Sequence, residues 1–498
     1  MLPLTSGLGV AVPEHLGADL LTLSPAILVF LVAIVIILWE AVARPPDKRL
    51  LMGLSLVAVL VSLGLVTTVQ AGAEGTGFSG MLAFDAYGTF FNLVFLISAG
   101  LSILISHDYL ERIGLRVGEY YALALFSLSG MMLMGMGNDL ILLFVALEVM
   151  SLGLYVMAAM QRTVRAVESG FKYFIMGAFA SGILLYGIAF IYGDTGTTNL
   201  HGIRDAVAAG HTTGMLMIGV SLIMVGFCFK VAAVPFHMWA PDVYEGAPAS
   251  VTGYMATGVK AASFAAFGRV LFVAFLDVKD DWTLPLWLIA AATMLLGNIA
   301  ALVQVDLKRM LAYSSIAHAG YMLMALVAVD GSSAGANPQV SGLLFYLLAY
   351  TFMTLGAFAV LTLMAERGRD LTSVEHLVGL ARRNPLLAAG LALCLLSLAG
   401  IPPTMGFVGK FYLFAAAVRG GYTGLAIVGA VSGAIGVYYY LRPIVYMYMR
   451  DDREPLAVQP GAAVASALGI ASLAILAFGL FPGQLIDLCR QGVASLAG

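Results

Sequence analysis

Residues 213–241 read TGMLMIGVSLIMVGFCFKVAAVPFHMWAP. The run from Thr213 to Phe229 is almost wholly apolar, and a helix needs about 20 such residues to cross a hydrocarbon core about 30 Å thick. The run then meets a lysine, Lys230, and five residues later a proline, Pro235. Proline has no backbone N–H and clashes with the preceding turn, so the helix is interrupted there. Lipid cannot satisfy the backbone groups freed by an interruption, so the break must be lined by protein or water. The stretch therefore predicts a membrane helix broken beside a lysine.

The rest of the chain fits that environment. Of 498 residues, 61% are hydrophobic and 11% charged, with a mean hydropathy of +0.96. A soluble domain carries about 25% charged residues, so most of this chain's solvent is lipid. Apolar segments recur at about 24–43, 50–71, 83–106, 118–136, 138–161, 168–193, 213–235, 248–276, 284–304, 309–329, 340–365, 385–418, 422–449 and 460–482. These are numbered spans 1 to 14. They are too long for barrel strands and lack period-two alternation, which leaves an all-α integral membrane fold. The first 23 residues contain no Lys or Arg, so no cleavable signal peptide is expected. The net charge of -3 gives no reason to expect nucleic acid as a partner. Cys228, Cys394 and Cys489 are too scattered for a disulfide framework or a cluster site and read as small apolar fillers.

Basic residues fix an orientation. Sixteen of the 25 Lys and Arg fall at alternate loops: Arg44, Lys48, Arg49, Arg112, Arg116, Arg162, Arg165, Lys172, Lys308, Arg309, Arg367, Arg369, Arg382, Arg383, Arg450 and Arg453. Only four, Arg204, Lys279, Arg419 and Arg490, fall on the other side. The first set predicts the cytoplasmic face, with both termini on the outer face. Lys279, Asp280 and Asp281 read as a solvated turn. Arg269 and Arg442 lie nearer span ends and are expected to snorkel.

The remaining charges sit where charge is expensive. A charged side chain at the bilayer centre costs about 2.5–3.5 kcal/mol even on a lenient scale, and such residues usually mark ion or proton paths. Glu148 lies in the middle of span 5, Lys260 in the middle of span 8 and Lys410 inside span 12; Lys230 lies near the cytoplasmic end of span 7. His318 lies mid-span 10, and its two ring nitrogens suit it to relay between lysines. Burial disfavours the charged form of an ionisable group and a nearby opposite charge restores it. A buried lysine with a removable partner is thus a proton switch, and Glu148 is a candidate partner for Lys230. Structural ion pairing explains any one of these residues well, but five in separate spans much less so.

Span 12 repeats the pattern of span 7. Its interior reads AGIPPTMGFVGK over residues 399–410, with Pro402 and Pro403 a few residues before Lys410. Span 7 is the fourth of spans 4–8, and span 12 the fourth of spans 9–13. Two five-helix repeats inverted across the membrane are expected, with broken helices 7 and 12 at their functional centres. The expected division is 1–110, a three-span segment; 111–280, the first repeat; 281–452, the second repeat; and 453–498, the last span.

Three stretches carry a family resemblance: VPFHMWAPDVYEGAP at 234–248, SSIAHAGY at 314–321 and GIPPTMGFVGK at 400–410. Together they resemble the antiporter-like membrane subunits of respiratory complex I, the NADH-quinone oxidoreductases, and the related Mrp cation/proton antiporters. The first stretch and Lys410 look most like the subunit N branch. The resemblance covers nearly the whole chain and implies that Glu148, Lys230, Lys260, His318 and Lys410 form a proton-translocating axis. Glu168, Lys172 and His237 are possible uptake residues, although for Glu168 and Lys172 a plain interfacial anchor is the favoured reading.

The resemblance also implies a translocase subunit with no redox centre, cofactor or metal of its own. Moving one charge against 100 mV costs about 2.3 kcal/mol, so pumping needs a driver. The chain has no phosphate-binding loop and no clustered cysteines. NADH, FMN, iron–sulfur clusters and quinone are therefore expected in partner subunits. Those partners would be the other membrane subunits M, L, K, J, A and H, and a peripheral arm, in a bacterial inner membrane. The alternatives are an Mrp-type sodium/proton antiporter subunit and a membrane scaffold with inert ion pairs.

Overall fold

The structure, a computed structural model, describes residues 16–210, 212–329, 338–366, 369–450 and 460–497. Arg367 and Arg453, counted above among the cytoplasmic basic residues, lie outside the described residues.

Nearly all described residues are helical. Span 1 forms Leu16–Ala43, which begins earlier than its apolar core suggests. Span 3 forms Ala86–Arg112, span 5 Leu140–Ala159, span 6 Val164–Thr195, span 10 Leu307–Val327 and span 13 Thr423–Met449. Eleven described helices are long and apolar enough to cross a membrane. Short polar residues start several of them: Asp139 accepts from the amides of Ile141 and Leu142, and Thr213 from those of Met215 and Leu216. Such caps satisfy the orphan N–H groups of a first turn, which water cannot reach near lipid.

The helices form an inner group and a surrounding one. The helices of spans 8, 10 and 11 are almost entirely buried by neighbours, whereas those of spans 1, 2 and 14 bury only a minor part of their surface. Leu38, Phe179 and Leu473 are among the large apolar side chains left on the outer surface. In a bilayer that apolar surface is solvated by lipid, so the polar side chains gather on the inner helices. Span 8, Ala249–Ala274, widens into π turns at Met255–Val259 and Val270–Ala274. Lys260 follows the first of these directly, and such bulges concentrate at functional sites.

Both anticipated breaks are present. Span 7 is a helix Gly214–Lys230, an irregular stretch, then a half-helix Trp239–Gly246. The helix ends at Lys230 itself, ahead of Pro235, and Ala232 takes a left-handed φ of 59°. Span 12 is Pro385–Ala399, a turn, then Met405–Arg419. Gly400 closes the first half at φ 84°, where only glycine sits without a Cβ penalty, and its amide meets the carbonyls of Leu396 and Ser397. Pro235, Pro402 and Pro403 are all exposed on the surface of the chain, so it is the backbone of each break, not its prolines, that faces inward.

Several expectations need correction. Arg269 does not snorkel: it is 2% exposed and donates to Asp85 from both terminal nitrogens, at 2.6 and 2.9 Å. Arg442, half-buried, donates to the carbonyls of Leu302, at 3.2 Å, and Gln304, beside the end of the span 9 helix Lys279–Leu302. Lys308, assigned to a loop, is buried in the first turn of span 10 and paired with Asp370 at 2.8 Å. Lys279, Asp280 and Asp281 open the helix of span 9 and do not form a loop; carboxylates there complement the helix dipole. Two surface helices, Leu200–Ala208 and Gly483–Ala494, and two small hairpins had no counterpart in the apolar pattern. Cys489 belongs to the second of those helices and not to a span.

Candidate functional site

Residues 148, 151 and 155 lie on one face of the span 5 helix, being three and four apart. The Ser181 hydroxyl of span 6 donates to Glu148 Oε1. Lys230 Nζ donates to Ser151 Oγ at 2.9 Å and to Tyr155 OH at 3.3 Å. Glu148 and Lys230 form no ion pair within 4 Å; the two side chains have separate hydroxyl partners, Ser181 for Glu148 and Ser151 with Tyr155 for Lys230, and Ser151 itself donates to the Leu147 carbonyl. Lys230 is 4% exposed, so those two hydroxyls are its direct side-chain partners in an apolar surround.

Lys260 is 1% exposed. Its Nζ donates to the Ser315 carbonyl at 2.5 Å and to Ser315 Oγ, and lies 5.7 Å from the centre of the Tyr350 ring. One turn along span 10, His318 is held at both nitrogens: Nδ1 by Tyr346 OH at 2.6 Å and Nε2 by Tyr440 OH at 2.8 Å. Tyr440 OH also meets Ser314 Oγ at 2.5 Å. A neutral imidazole donates from one nitrogen and accepts at the other, and hydroxyls do both. The group Ser314–Tyr440–His318–Tyr346 is thus a continuous hydrogen-bonded string whose polarity can reverse.

Lys410, 7% exposed, lies beyond the second break and reaches back across it. Its Nζ donates to the carbonyls of Leu398 at 2.8 Å and Ala399 at 3.0 Å, the last two residues of the preceding half-helix. A helix end carries about half a negative charge, so a cation there is favoured by roughly 0.3–1 kcal/mol, more when partly buried. Lys410 Nζ also lies 5.1 Å from the centre of the Tyr321 ring, whose hydroxyl is held by Asn298 at 3.0 Å and Ser432 at 3.2 Å.

At the end where span 6 begins, six charged side chains interlock. Lys172 meets Glu168 at 2.7 Å and Asp242 at 2.9 Å. Arg309 meets Asp242 at 2.9 Å and Glu245 at 2.7 Å, and Arg165 meets Glu245 at 3.1 Å. Burial pushes the Asp242 carboxyl up, but its bonds to Lys172 and Arg309 outweigh that and hold it below the usual carboxylate range. A cavity of about 130 Å³ opens between Arg165, Glu168, Ser169, Lys172, Asp242 and Glu245. His237 stands apart in the break, half-buried, with Nδ1 lacking a hydrogen-bond partner among the described residues.

Sequence reasoning missed two buried ionic ties. Arg269 binds Asp85 in a two-pronged pair and donates to the Gly135 carbonyl at 3.0 Å. Lys308 binds Asp370, which also accepts from Tyr109 OH at 2.9 Å. Removing one partner of such a pair costs about 3–5 kcal/mol, because the other is left charged in a dry site. It also missed the hydroxyl partners Ser151, Tyr155, Ser315, Tyr346 and Tyr440. The only sequence signal for them was tyrosine and serine inside apolar runs at helical spacing from a charged residue. Among the described residues no group of three or more His, Cys, Asp or Glu could hold a metal ion.

Comparison with known proteins adds the family. Residues 137–436 match the family model described as NADH:quinone oxidoreductase/Mrp antiporter, transmembrane. NADH-quinone oxidoreductase subunit N of Trichlorobacter lovleyi is 44% identical over 479 residues, 95% of this chain and 97% of that protein. The subunit N of Rhodospirillum rubrum is 41% identical over 483 residues, 96% and 98% of the two chains. Among solved structures, a chain of respiratory complex I from Thermus thermophilus with bound aureothin is similar at 35% identity and TM-score 0.79, covering 94% of this chain and 98% of that one. A chain of the Mrp complex from a Dietzia species shares the fold, with TM-score 0.83 at 22% identity, covering 97% and 98%.

Proposed function

The chain belongs to the NADH:quinone oxidoreductase/Mrp antiporter family of transmembrane proteins, and from that membership we propose that it is the proton-translocating membrane subunit of a respiratory NADH:quinone oxidoreductase. Protons enter from the face carrying the basic loops, pass Lys230, Lys260, His318 and Lys410, and leave on the opposite face. Residues 111–280 and 281–452 are the two inverted repeats that carry the inward and outward halves of this path. Both termini face the periplasm of a bacterial inner membrane. The redox chemistry that drives the cycle belongs to NADH, FMN, iron–sulfur clusters and quinone in partner subunits.

The observation that carries this reading is the string running from Ser314 through Tyr440 and His318 to Tyr346, with Lys260 bonded to Ser315 beside it. Each member both gives and takes a proton, so a proton entering one end shifts every bond and emerges at the other. Lys260, beside the string on Ser315, carries a proton without becoming anionic. Glu148, one turn along span 5 from the Ser151 that holds Lys230, biases that lysine: a charged carboxylate favours a charged lysine, and its neutralisation favours release of the proton onward. An inert scaffold would need neither a histidine bonded at both nitrogens nor three buried lysines without a direct carboxylate partner.

Purification tests the assignment. The chain, tagged in its native membrane, is expected to bring down flavin- and iron–sulfur-containing subunits and NADH-driven, quinone-dependent proton uptake into vesicles. Recovery of sodium-dependent proton flux with no redox subunits would refute it and make the chain an antiporter subunit.

A further inference from the structure

Spans 3, 4 and 8 carry a second set of buried polar side chains that the path past Lys230 does not use. Span 3, Ala86–Arg112, and span 8, Ala249–Ala274, run antiparallel, tied by Tyr109 to the Ala249 amide at one end and by Asp85 to Arg269 at the other. Between those ties Ser98 Oγ meets Thr257 Oγ1 at 2.8 Å. Ser98, Ser102 and Ser106 recur every four residues on span 3, and Ser250, Tyr254 and Thr257 lie four and three apart on span 8, so each set forms one stripe along its helix. Span 4, Glu119–Met136, adds Tyr120, whose hydroxyl lies near Ser106 and Ser250, and Ser127, which lies near the Tyr254 hydroxyl. Thr257 is within one turn of Lys260.

All of these side chains are buried. Yet the hydroxyls of Ser102, Ser127 and Ser250 have no hydrogen-bond partner among the described residues. A serine in a membrane helix can turn back to the carbonyl one turn earlier, as Ser55, Ser151 and Ser263 do here. A buried hydroxyl left without a partner bears its full desolvation cost. Three such hydroxyls in one group, each close to further hydroxyls, are the setting in which buried water is held by two to four polar groups. The group reaches the face of the basic loops. The Tyr121 hydroxyl lies near Ser106 and meets His107 Nδ1 at 3.3 Å, and the exposed Arg49 donates to His107 Nε2 at 3.4 Å. With Nε2 accepting, Nδ1 carries the ring proton and donates to Tyr121.

We propose that spans 3, 4 and 8 hold a second proton route, a chain of waters bound by these hydroxyls that runs from His107 to Lys260. Once Lys260 has passed its proton toward the His318 string, a proton taken up at His107 refills it through the chain. Lys230, biased by Glu148, acts on Lys260 by its charge as well as by proton supply, so the second entry does not make it dispensable. The proposal rests on the proton-carrying role given to Lys260 above and adds a further source for its proton.

Radiolytic hydroxyl labelling of the whole assembled complex tests it, because radicals formed from bound water mark the side chains beside that water. In the unmodified complex Tyr254 is expected to label severalfold faster than Phe95, a ring of span 3 that is equally buried and packs on Phe91. Valine and threonine share a shape and differ by the hydroxyl. Ser102→Val with Ser250→Val should lower both the Tyr254 label and NADH-driven proton uptake severalfold at matched NADH oxidation, whereas Ser102→Thr with Ser250→Thr should keep most of both. Equal labelling of Tyr254 and Phe95 in the unmodified complex overturns the proposal, even if neither double variant assembles. So do valine and threonine variants with the same uptake. Lys260→Ala separates this from the underlying reading: pumping that survives it refutes that reading, whereas pumping lost with Tyr254 unlabelled in the unmodified complex refutes the second route alone.

Discussion

The two broken helices place a lysine beside an interruption in opposite ways. Lys230 ends the helix before its break and turns to side-chain hydroxyls of span 5, with a carboxylate one turn further on. Lys410 follows its break and points back at the carbonyl end of the helix it left. Hydroxyls are neutral and reorient freely, so they hold a charged or a neutral lysine alike. Helix-end carbonyls are fixed acceptors with a negative potential that favours a cation. Under the proposed function both lysines pass protons, the first biased by a side-chain carboxylate that can itself change charge and the second by backbone carbonyls that cannot. The same ingredients, proline, glycine and lysine, thus give an adjustable bias at one break and a fixed one at the other.

Breaking the adjustable bias is expected to have the largest effect. Lys230→Ala or Glu148→Ala should lower protons pumped per electron by an order of magnitude or more while the complex assembles, since a positioned proton carrier contributes about 10²-fold or more. Pumping by reconstituted complex at matched NADH oxidation rates measures it; equal loss of assembly and pumping would make the pair structural. Lys410 is expected to come second and to depend on charge alone. Lys410→Ala should impair pumping strongly, whereas Lys410→Arg, which keeps a cation on the Leu398 and Ala399 carbonyls, should retain most of it. Equal defects in the two variants would remove the distinction between the fixed and the adjustable bias. The smallest effect is expected from the hydroxyls. Ser151→Ala with Tyr155→Phe should slow pumping severalfold without abolishing it, because water fills polar sites of that size and bridges in their place. A loss as deep as that of Lys230→Ala would mean the hydroxyls carry the proton themselves.

The sequence made the charged residues conspicuous for a physical reason. Each of Glu148, Lys230, Lys260 and Lys410 interrupts an apolar run where its presence costs free energy, so its position alone signals use. The breaks were legible because proline disfavours a regular helix, although Pro25, Pro285 and Pro443 lie inside helices without ending them. What the sequence hid were partners. Arg269 and Asp85 are 184 residues apart, and Lys308 and Asp370 are 62 apart. Nothing local marks either pair, so Arg269 read as a snorkelling end residue and Lys308 as a loop residue. The hydroxyl partners were hidden differently: Ser151, Ser315, Tyr346 and Tyr440 cost little in a membrane helix, so their presence carries no signal until the fold sets them beside a charge. The register of the span 5 and span 7 helices, which puts Ser151 rather than Glu148 against Lys230, is a matter of packing that no single helix encodes.

The central claim is that the buried lysines and His318 share one wet, hydrogen-bonded path through the inner helices. A density map of the assembled complex that resolves ordered water tests this most directly. A chain of waters joining Lys230, Lys260, the His318 string and Lys410, with gaps no wider than one hydrogen bond, is the predicted result. Apolar side chains packed between those residues in every state of the turning enzyme, with no water among them, would contradict it.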